Sequence, residues 1–283
     1  MKRLSAKHSF YHFDPAHPPA LRIKPGEELL VEVQDAFGGE RDIARIPDPF
    51  TTEWEGHPTP PATGPVYIEG ASPGQTLAID ILEITPAAEG FVAIQRNAGF
   101  LPERFPRRES SASRSGTAPS CSTRSGCPSI PTSAPSRPPP PRAGRHRGLP
   151  RGGTSIRRRS PRATAWTCRC SCPARSSGSG DPHAIISDWI ACGTGVECGA
   201  TARLRFEGLP RAVARPRIET PEAIHLVGFG PDLDTAARDA IEQGVVCLAE
   251  DHGMDSEDAY MLLSLVATSG AAPRRGPSWA YGW

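Results

Sequence analysis

The sequence predicts a mainly β protein, of sandwich or barrel type, with a smaller α+β part toward the C-terminus. Three short segments show the two-residue period of a strand and are bounded by turn residues. These segments are Leu29–Val33, Val66–Glu69 and Leu77–Leu82. Apolar residues at helical spacing occur in two segments after residue 234. Several short strands separated by turns are typical of sandwiches and barrels.

The first of these strands belongs to a predicted N-terminal β domain, residues 1–109, and its apolar face leads to a carboxylate. Leu29, Val31 and Val33 share that face with Asp35. A Gly38–Gly39 pair follows and predicts a turn. Asp35 therefore either lines a site or caps the turn, and the sequence leaves both interpretations open.

The C-terminal part, predicted at residues 180–266, mixes strands and helices. Strands are expected at Thr201–Phe206 and Ile224–Phe229. A helix is expected from Thr235 to Glu250, capped by Asp234 and ended by Gly253, with Ala237, Ile241, Val245 and Leu248 at helical spacing. A second helix, Glu257–Val266, has Asp255 or Ser256 as its cap and Ala259, Leu262, Leu263 and Val266 as its expected core face.

The middle of the chain, residues 110–179, has a different composition. It contains no Asp, Glu, Lys, Val, Phe, Tyr, Met, Asn or Gln. Such a segment cannot bury a core and predicts a disordered, arginine-rich linker. A second interpretation is a reading-frame shift, because nearly all its residue types have G or C as the middle codon base. Shifting the frame turns Trp166–Ser177 into a largely aliphatic strand and turn, and the tail after residue 266 has the same signature.

Charge and composition narrow the function classes. Of the 32 Lys and Arg residues, 13 are arginines in the middle segment, which leaves 19 basic against 31 acidic residues elsewhere. Outside the middle segment this excess of acid gives no support for nucleic-acid binding. No long apolar run predicts a membrane span, and no apolar stretch follows Lys2 and Arg3 as a secretory signal would require. We therefore expect a cytoplasmic protein that does not bind membranes.

The stretch GDPHAIISDWIACGTGVE, residues 180–197, carries the strongest chemical signal. Asp181 and His183 lie two residues apart, so both side chains leave the same face of an extended segment. A carboxylate and an imidazole that converge in this way are typical of a metal site or an acid–base pair. The alternative is an ordinary strand end with a capping aspartate and a surface histidine.

Five stretches together resemble the acetamidase/formamidase family. They are VEVQDAFGG (Val31–Gly39), ATGPVYIEGASPGQTLAIDI (Ala62–Ile81), AGFLPERFP (Ala98–Pro106), GDPHA with CGTGVE (Gly180–Glu197), and DAYMLLSLV (Asp258–Val266). The resemblance implies a hydrolase that cleaves small linear amides, such as formamide or acetamide, to a carboxylate and ammonia. It also implies a divalent metal ion, zinc or calcium, and a homo-oligomer by analogy.

Carried over position by position, the resemblance implies a set of site residues. The metal ligands would be Asp35, Asp181 and His183; the acid–base or supporting carboxylates would be Glu69, Glu197 and Asp188; and the backbone would approach the substrate at Gly38, Gly39 and Gly193. Glu69 is equally explained as a turn carboxylate beside Gly70.

The chain also departs from the family pattern. Ile186, Trp189 and Ile190 stand where the family has Gln, Gly and Glu, and Arg151 stands where it has His. Two alternatives therefore remain beside an active amidase: an inactive relic of such an enzyme, and a non-enzymatic protein with an arginine-rich interaction linker.

Overall fold

The computed structural model describes residues 1–11, 14, 16–46, 60–72, 75–96, 98–107, 109–114, 164–169, 176–185, 191–209, 217–219, 223–268, 270–272 and 279–282. Strands dominate these residues, and both helices lie late in the chain, just before the last two strands. The predicted mainly β class with a smaller α+β C-terminal part is confirmed. In the described residues, neither helix is long and apolar enough to cross a membrane.

The elements follow one another along the chain in this order. The strands are β1 (Lys2–Leu4), β2 (Ser9–Phe10), β3 (Leu21–Ile23), β4 (Glu28–Val33), β5 (Ala62–Ile68), β6 (Thr76–Pro86), β7 (Glu89–Ile94), β8 (Glu109–Arg114), β9 (Thr164–Arg169), β10 (Ser176–Gly180), β11 (Ala200–Leu209), β12 (Arg217–Glu219), β13 (Ile224–Gly230), β14 (Gly270–Ala272) and β15 (Trp279–Gly282). The helices are α1 (Leu233–His252) and α2 (Ser256–Val266).

Three sheets organise these strands. The largest has nine strands in the order β1-β4-β11-β6-β9-β12-β13-β15-β14. A second has the order β10-β5-β2 with β3 also paired to β5, and a third contains β7 and β8. Because β11 pairs with both β4 and β6, the N-terminal and C-terminal parts contribute to one sheet.

The main core lies against β4, β5, β6 and β11. It is aliphatic except for Phe206 and includes the apolar faces predicted from the two-residue period. Its buried members are Leu4, Ile23, Leu29, Val31, Val33, Val66, Ile68, Ala71, Leu77, Ile79, Ile81, Ala202, Leu204 and Phe206. A valine, leucine, isoleucine or phenylalanine side chain stabilises the fold by about 1.5–3 kcal/mol when it is fully buried.

Part of the aberrant middle lies in strands. The described residues of that window belong to β8, β9 and β10, and β9 pairs with β6 on one side and β12 on the other. The expectations of a disordered linker and of a reading-frame shift for residues 110–179 stay predictions. Predictions for residues 115–163 and 170–175 lie outside the described residues, and the predicted domain boundaries stay predictions.

The two helices occur where the sequence predicts them, with different details at their caps and faces. Asp232, rather than Asp234, caps α1 by accepting a hydrogen bond from the Thr235 backbone N–H, and Gly253 ends the helix in the left-handed conformation. Asp255 caps α2. The expected burial of Val266 is wrong, because its side chain is 64% exposed on the last turn of the helix.

The face of α1 that packs on the sheet consists of small residues. Its buried positions are Ala236, Ala240, Gly244 and Cys247, each one residue before a member of the predicted apolar series. The approach is close: a Cβ atom on Gly228 of β13 would lie 2.1 Å from the backbone oxygen of Ala236. Small side chains and a strand glycine therefore decide which helix face meets the sheet.

Candidate metal centre

A buried imidazole–carboxylate pair forms where the segment after β10 meets the segment before β11. His183 and Glu197 face each other across an antiparallel bridge, so their side chains leave the same face. His183 Nε2 lies 2.9 Å from Glu197 Oε1. The exposed fractions are 6% for His183 and 2% for Glu197. The alternative of a surface histidine is therefore wrong.

Asp181 completes a three-residue cluster. It directly follows β10 with a φ of 57°, a left-handed conformation that aspartate adopts more readily than most residues. Its Oδ1 atom lies 3.9 Å from His183 Nε2. One ligand atom from each of Asp181, His183 and Glu197 lies within 4.8 Å of the other two. The predicted Asp181–His183 juxtaposition is thus present, and Glu197 joins it.

The donor chemistry of this cluster fits a divalent cation. Glu197 Oε2 is buried and has no hydrogen-bond partner among the described residues. An ionised carboxylate buried in this way is costly unless a positive charge lies opposite. One imidazole with two carboxylates suits zinc and related transition metals, whereas calcium prefers oxygen ligands throughout. Asp181, His183 and Glu197 could therefore hold such an ion.

Strand β7 fixes the position of Glu197. The backbones of Phe91 and Glu197 exchange two hydrogen bonds, of 3.0 and 2.7 Å. Nearby, the Thr194 hydroxyl accepts a hydrogen bond from the Ala93 N–H at 2.9 Å and donates one to the Ala93 carbonyl at 3.1 Å. Glu197 is therefore positioned by main-chain contacts on one side and by His183 on the other.

Asp35 lies at the turn after β4, with its carboxylate 1% exposed. Its Oδ1 atom accepts hydrogen bonds from the backbone N–H groups of Phe37 and Gly39, both at 3.0 Å. Its Oδ2 atom lies 2.6 Å from Arg41 Nη1. This is the turn-capping arrangement left open by the sequence. Asp35 is not part of the three-residue cluster, and its role as a metal ligand stays a prediction.

The other predicted site residues lie in turns or outside the described chain. Glu69 is in the turn after β5 and is not a member of the cluster. Asp188 lies outside the described residues. Gly38 and Gly39 form the Asp35 turn with φ of 66° and 91°, and Gly193 has φ of 102° just before Thr194. Their roles in substrate binding stay predictions.

A buried thiol lies beside the cluster. Burial raises the pKa of Cys198 to about 11, and the nearby charges of Glu197 and Asp35 act in the same direction. The thiol is therefore protonated near neutral pH and is a poor nucleophile there.

Two residues that contact β7, the strand that pairs with Glu197, carried no signal in the sequence. Arg41 lies with its guanidinium carbon 5.3 Å from the centre of the Phe91 ring, and Thr194 anchors β7. Arg41 follows Asp35 by six residues in a polar turn, where a charged side chain is ordinary. Arg41 is linked to Glu197 only through the register that brings Phe91 opposite Glu197.

Known proteins resemble this chain in fold and, over part of its length, in sequence. The structure superimposes on that of a recombinant predicted acetamidase/formamidase from the thermophile Thermoanaerobacter tengcongensis with a TM-score of 0.79, covering 99% of this chain and 94% of that one at 21% identity. At this identity the likeness concerns the fold. The sequence profile described as Acetamidase/Formamidase family matches residues 2–132. The chain resembles the acetamidase/formamidase family.

Curated proteins agree with this resemblance over the same part of the sequence. A formamidase of Methylophilus methylotrophus is 31% identical over 109 residues, which are 35% of this chain and 25% of that protein. An acetamidase of Mycolicibacterium smegmatis is 30% identical over 115 residues, which are 35% of this chain and 27% of that protein. The match thus spans about a quarter of the length of these acetamidase/formamidase relatives.

Proposed function

We propose that this protein is a metal-dependent hydrolase that cleaves small linear amides, of the formamide or acetamide type, to a carboxylate and ammonia. The observation that carries the proposal is the buried Asp181–His183–Glu197 cluster with its unpartnered carboxylate oxygen. The resemblance to the acetamidase/formamidase family and the names of the curated relatives supply the reaction class.

Asp181, His183 and Glu197 would hold the metal ion. A bound divalent ion supplies Lewis acidity toward the amide carbonyl and lowers the pKa of water, two effects that a poorly electrophilic amide needs. Three protein ligands would leave a fourth coordination position for water or substrate, as in catalytic zinc sites. The imidazole in this donor set favours zinc over calcium.

The protein side chains would orient these reactants and move the proton. Glu197 has one oxygen directed at His183 and a second, Oε2, without a partner. Oε2 is therefore the Glu197 atom that would bind the metal ion, and a second carboxylate would accept the proton of the attacking water as the new C–O bond forms. The same proton can then pass to the amide nitrogen as the C–N bond breaks. Glu69 and Asp188 are the bases predicted from the resemblance.

The proposal is tested with a pair of matched glutamate variants. Glu197→Gln removes a carboxylate of the cluster, and Glu207→Gln makes the same change at an exposed position of β11 that pairs with Arg205. We expect the wild type to bind one zinc ion per chain and to release ammonia from formamide or acetamide. Glu197→Gln should lose more than about 100-fold in zinc affinity, since ligand loss exceeds the effect of outer-shell changes, whereas Glu207→Gln should behave as wild type.

Isothermal titration with zinc and a coupled ammonia assay measure the two properties separately. Zinc binding without ammonia release would support the inactive-relic alternative, in which the replacement of expected polar residues abolishes turnover. Equal zinc affinity in Glu197→Gln and the wild type would contradict the assignment of the site. The cytoplasmic location and a homo-oligomeric state stay predictions.

A further inference from the structure

We propose that Arg41 is a product-binding residue of the candidate metal centre and that it binds the carboxylate released by amide hydrolysis. The identity of that carboxylate rests on the proposed function. The position of Arg41 rests on its contacts with Asp35 and Phe91 and on the pairing of Phe91 with Glu197.

Arg41 is positioned by Phe91, the residue that pairs with Glu197. The Arg41 guanidinium lies over the Phe91 ring, with its carbon 5.3 Å from the ring centre. Phe91 and Glu197 exchange two backbone hydrogen bonds, so their Cα atoms are about 5.5 Å apart and their side chains share one face. The guanidinium therefore lies over the residue that pairs with Glu197, on the side of the sheet to which the Glu197 side chain also points.

Asp35 sets the orientation of the Arg41 guanidinium. Asp35 is buried and held by two backbone N–H groups, and its Oδ2 atom accepts a hydrogen bond from Arg41 Nη1 at 2.6 Å. This contact anchors the guanidinium at one nitrogen. The Nε and Nη2 atoms have no hydrogen-bond partner in the described part of the chain, and the side chain is 47% exposed. One edge of the planar fork is thus available, and that edge binds a carboxylate through two parallel hydrogen bonds.

The charges near Arg41 favour an anionic ligand over a neutral one. A divalent ion in the cluster would offset the charges of Asp181 and Glu197, and Arg41 itself offsets that of Asp35. A small carboxylate would then meet no unbalanced negative charge at this face. Hydrogen bonds between ionised partners are roughly twice as strong as those between neutral ones, so Arg41 should bind the anionic product more tightly than the neutral amide.

A purely structural role for Arg41, as the partner of Asp35, makes a different prediction. Arg41→Lys keeps a cation beside Asp35 but lacks the planar fork. If Arg41 only pairs with Asp35, this variant should retain wild-type inhibition by product. If Arg41 binds the product, inhibition should weaken although the fold and zinc affinity are kept.

The experiment measures inhibition of ammonia release by sodium acetate at constant ionic strength. We expect the acetate inhibition constant to rise about tenfold in Arg41→Lys and further in Arg41→Met, with a smaller change in KM. Arg45→Lys is the matched control, because Arg45 lies in the same turn, is 74% exposed and pairs with Glu40 and Asp42. Should Arg41→Met fail to fold, Arg41→Lys still decides the question.

A second readout is independent of turnover. Acetate should raise the thermal unfolding midpoint of the zinc-loaded wild type and of Arg45→Lys, and raise it much less in Arg41→Lys. If the wild type releases no ammonia but shows this Arg41-dependent shift, the carboxylate site stands and the proposed function fails. If ammonia is released but acetate acts equally on Arg41→Lys and Arg45→Lys, the inference is wrong and the proposed function stands. If acetate has no effect on the wild type in either measurement, the inference is also overturned.

Discussion

Glu197 is held from two sides and left open on a third. Its backbone pairs with Phe91, its Oε1 atom contacts His183, and its Oε2 atom lacks a partner among the described residues. Two nearby carboxylates, Asp181 and Glu197, also repel each other when both are ionised. The cluster is therefore a place where the metal-free protein lacks stabilising contacts that a cation would supply.

The missing contacts at this cluster predict a response to metal removal. Zinc at 100 times its dissociation constant should raise the free energy of unfolding by about 2.7 kcal/mol relative to chelated protein. In Glu197→Gln the same zinc concentration should give little change. Urea unfolding with and without chelator measures both values, and an equal zinc effect in Glu197→Gln would contradict the site.

Cys198 predicts a specific pH dependence. Burial raises its pKa from 9.0 to about 11 in the folded protein, so above pH 9 the unfolded chain ionises this thiol while the folded protein keeps it neutral. Its contribution to stability is thus fully present below pH 9 and is lost as the pH rises toward 11. Cys198→Ala should lose this component, so its free energy of unfolding should fall less steeply above pH 9.

Cys192→Ala is the control for this measurement, because Cys192 is a partly exposed thiol six residues earlier in the chain. Urea unfolding at pH 8, 9 and 10 gives the slopes. Equal slopes in the wild type and Cys198→Ala would assign the alkaline loss of stability to other groups. Ammonia release by Cys198→Ala should match that of the wild type, since a neutral buried thiol takes no part in the proposed chemistry.

At the scale of elements, local pattern and tertiary contact decide different features. The two-residue period predicts β4, β5 and β6, because apolar alternation directly reflects a half-buried strand. The caps of the helices are nearly as local, and Asp255 and Gly253 lie where the sequence places them. The buried face of α1 is displaced by one residue from its larger apolar side chains. That choice depends on β13, whose glycines admit only small residues.

The contact between β13 and α1 predicts the effect of one methyl group. In Gly228→Ala, the new Cβ would lie 2.1 Å from the Ala236 oxygen and 2.5 Å from the Ala240 nitrogen, both backbone atoms. The helix must shift, and we expect a loss of about 3 kcal/mol in the free energy of unfolding. Gly208→Ala in β11 is the control, because no atom lies within 4 Å of its added Cβ. Urea unfolding distinguishes them, and similar values for both variants would contradict the close packing.

The candidate site was only partly predictable for the same reason. The spacing of Asp181 and His183 predicts that their side chains converge, because two residues of an extended segment share a face. Glu197 joins them only through a bridge formed by the chain returning 14 residues later, a register that no local pattern specifies. Arg41 is held by two further contacts, to Asp35 and to Phe91, and Phe91 in turn pairs with Glu197. Sequence spacing therefore predicted two members of the cluster on one segment and left their neighbours undetermined.

At the scale of the whole molecule, the sheet order ties the site to distant parts of the chain. Glu197 lies just before β11, and β11 runs between β4 and β6 of the N-terminal part. On the other side of β6 lies β9, which comes from the compositionally aberrant middle and also pairs with β12. The integrity of the sheet that supports the site therefore depends on β9.

That dependence yields a prediction about the middle segment. An interior strand contacts two neighbours and is normally rich in aliphatic residues, yet the recorded sequence of β9, Thr164–Arg169, contains no Val, Ile or Leu. Reading residues 110–179 in the shifted frame supplies aliphatic residues for this strand. A chain with the frame restored should stay monodisperse on heating and unfold cooperatively at a higher temperature. The recorded chain should unfold at a lower temperature and aggregate on heating, because apolar sheet faces lack their partner. Light scattering and calorimetry on both chains decide this, with a shuffled segment of the frame-restored composition as control. Equal behaviour of the restored and shuffled chains would mean that composition alone, rather than the strand encoded by the shifted frame, accounts for any gain.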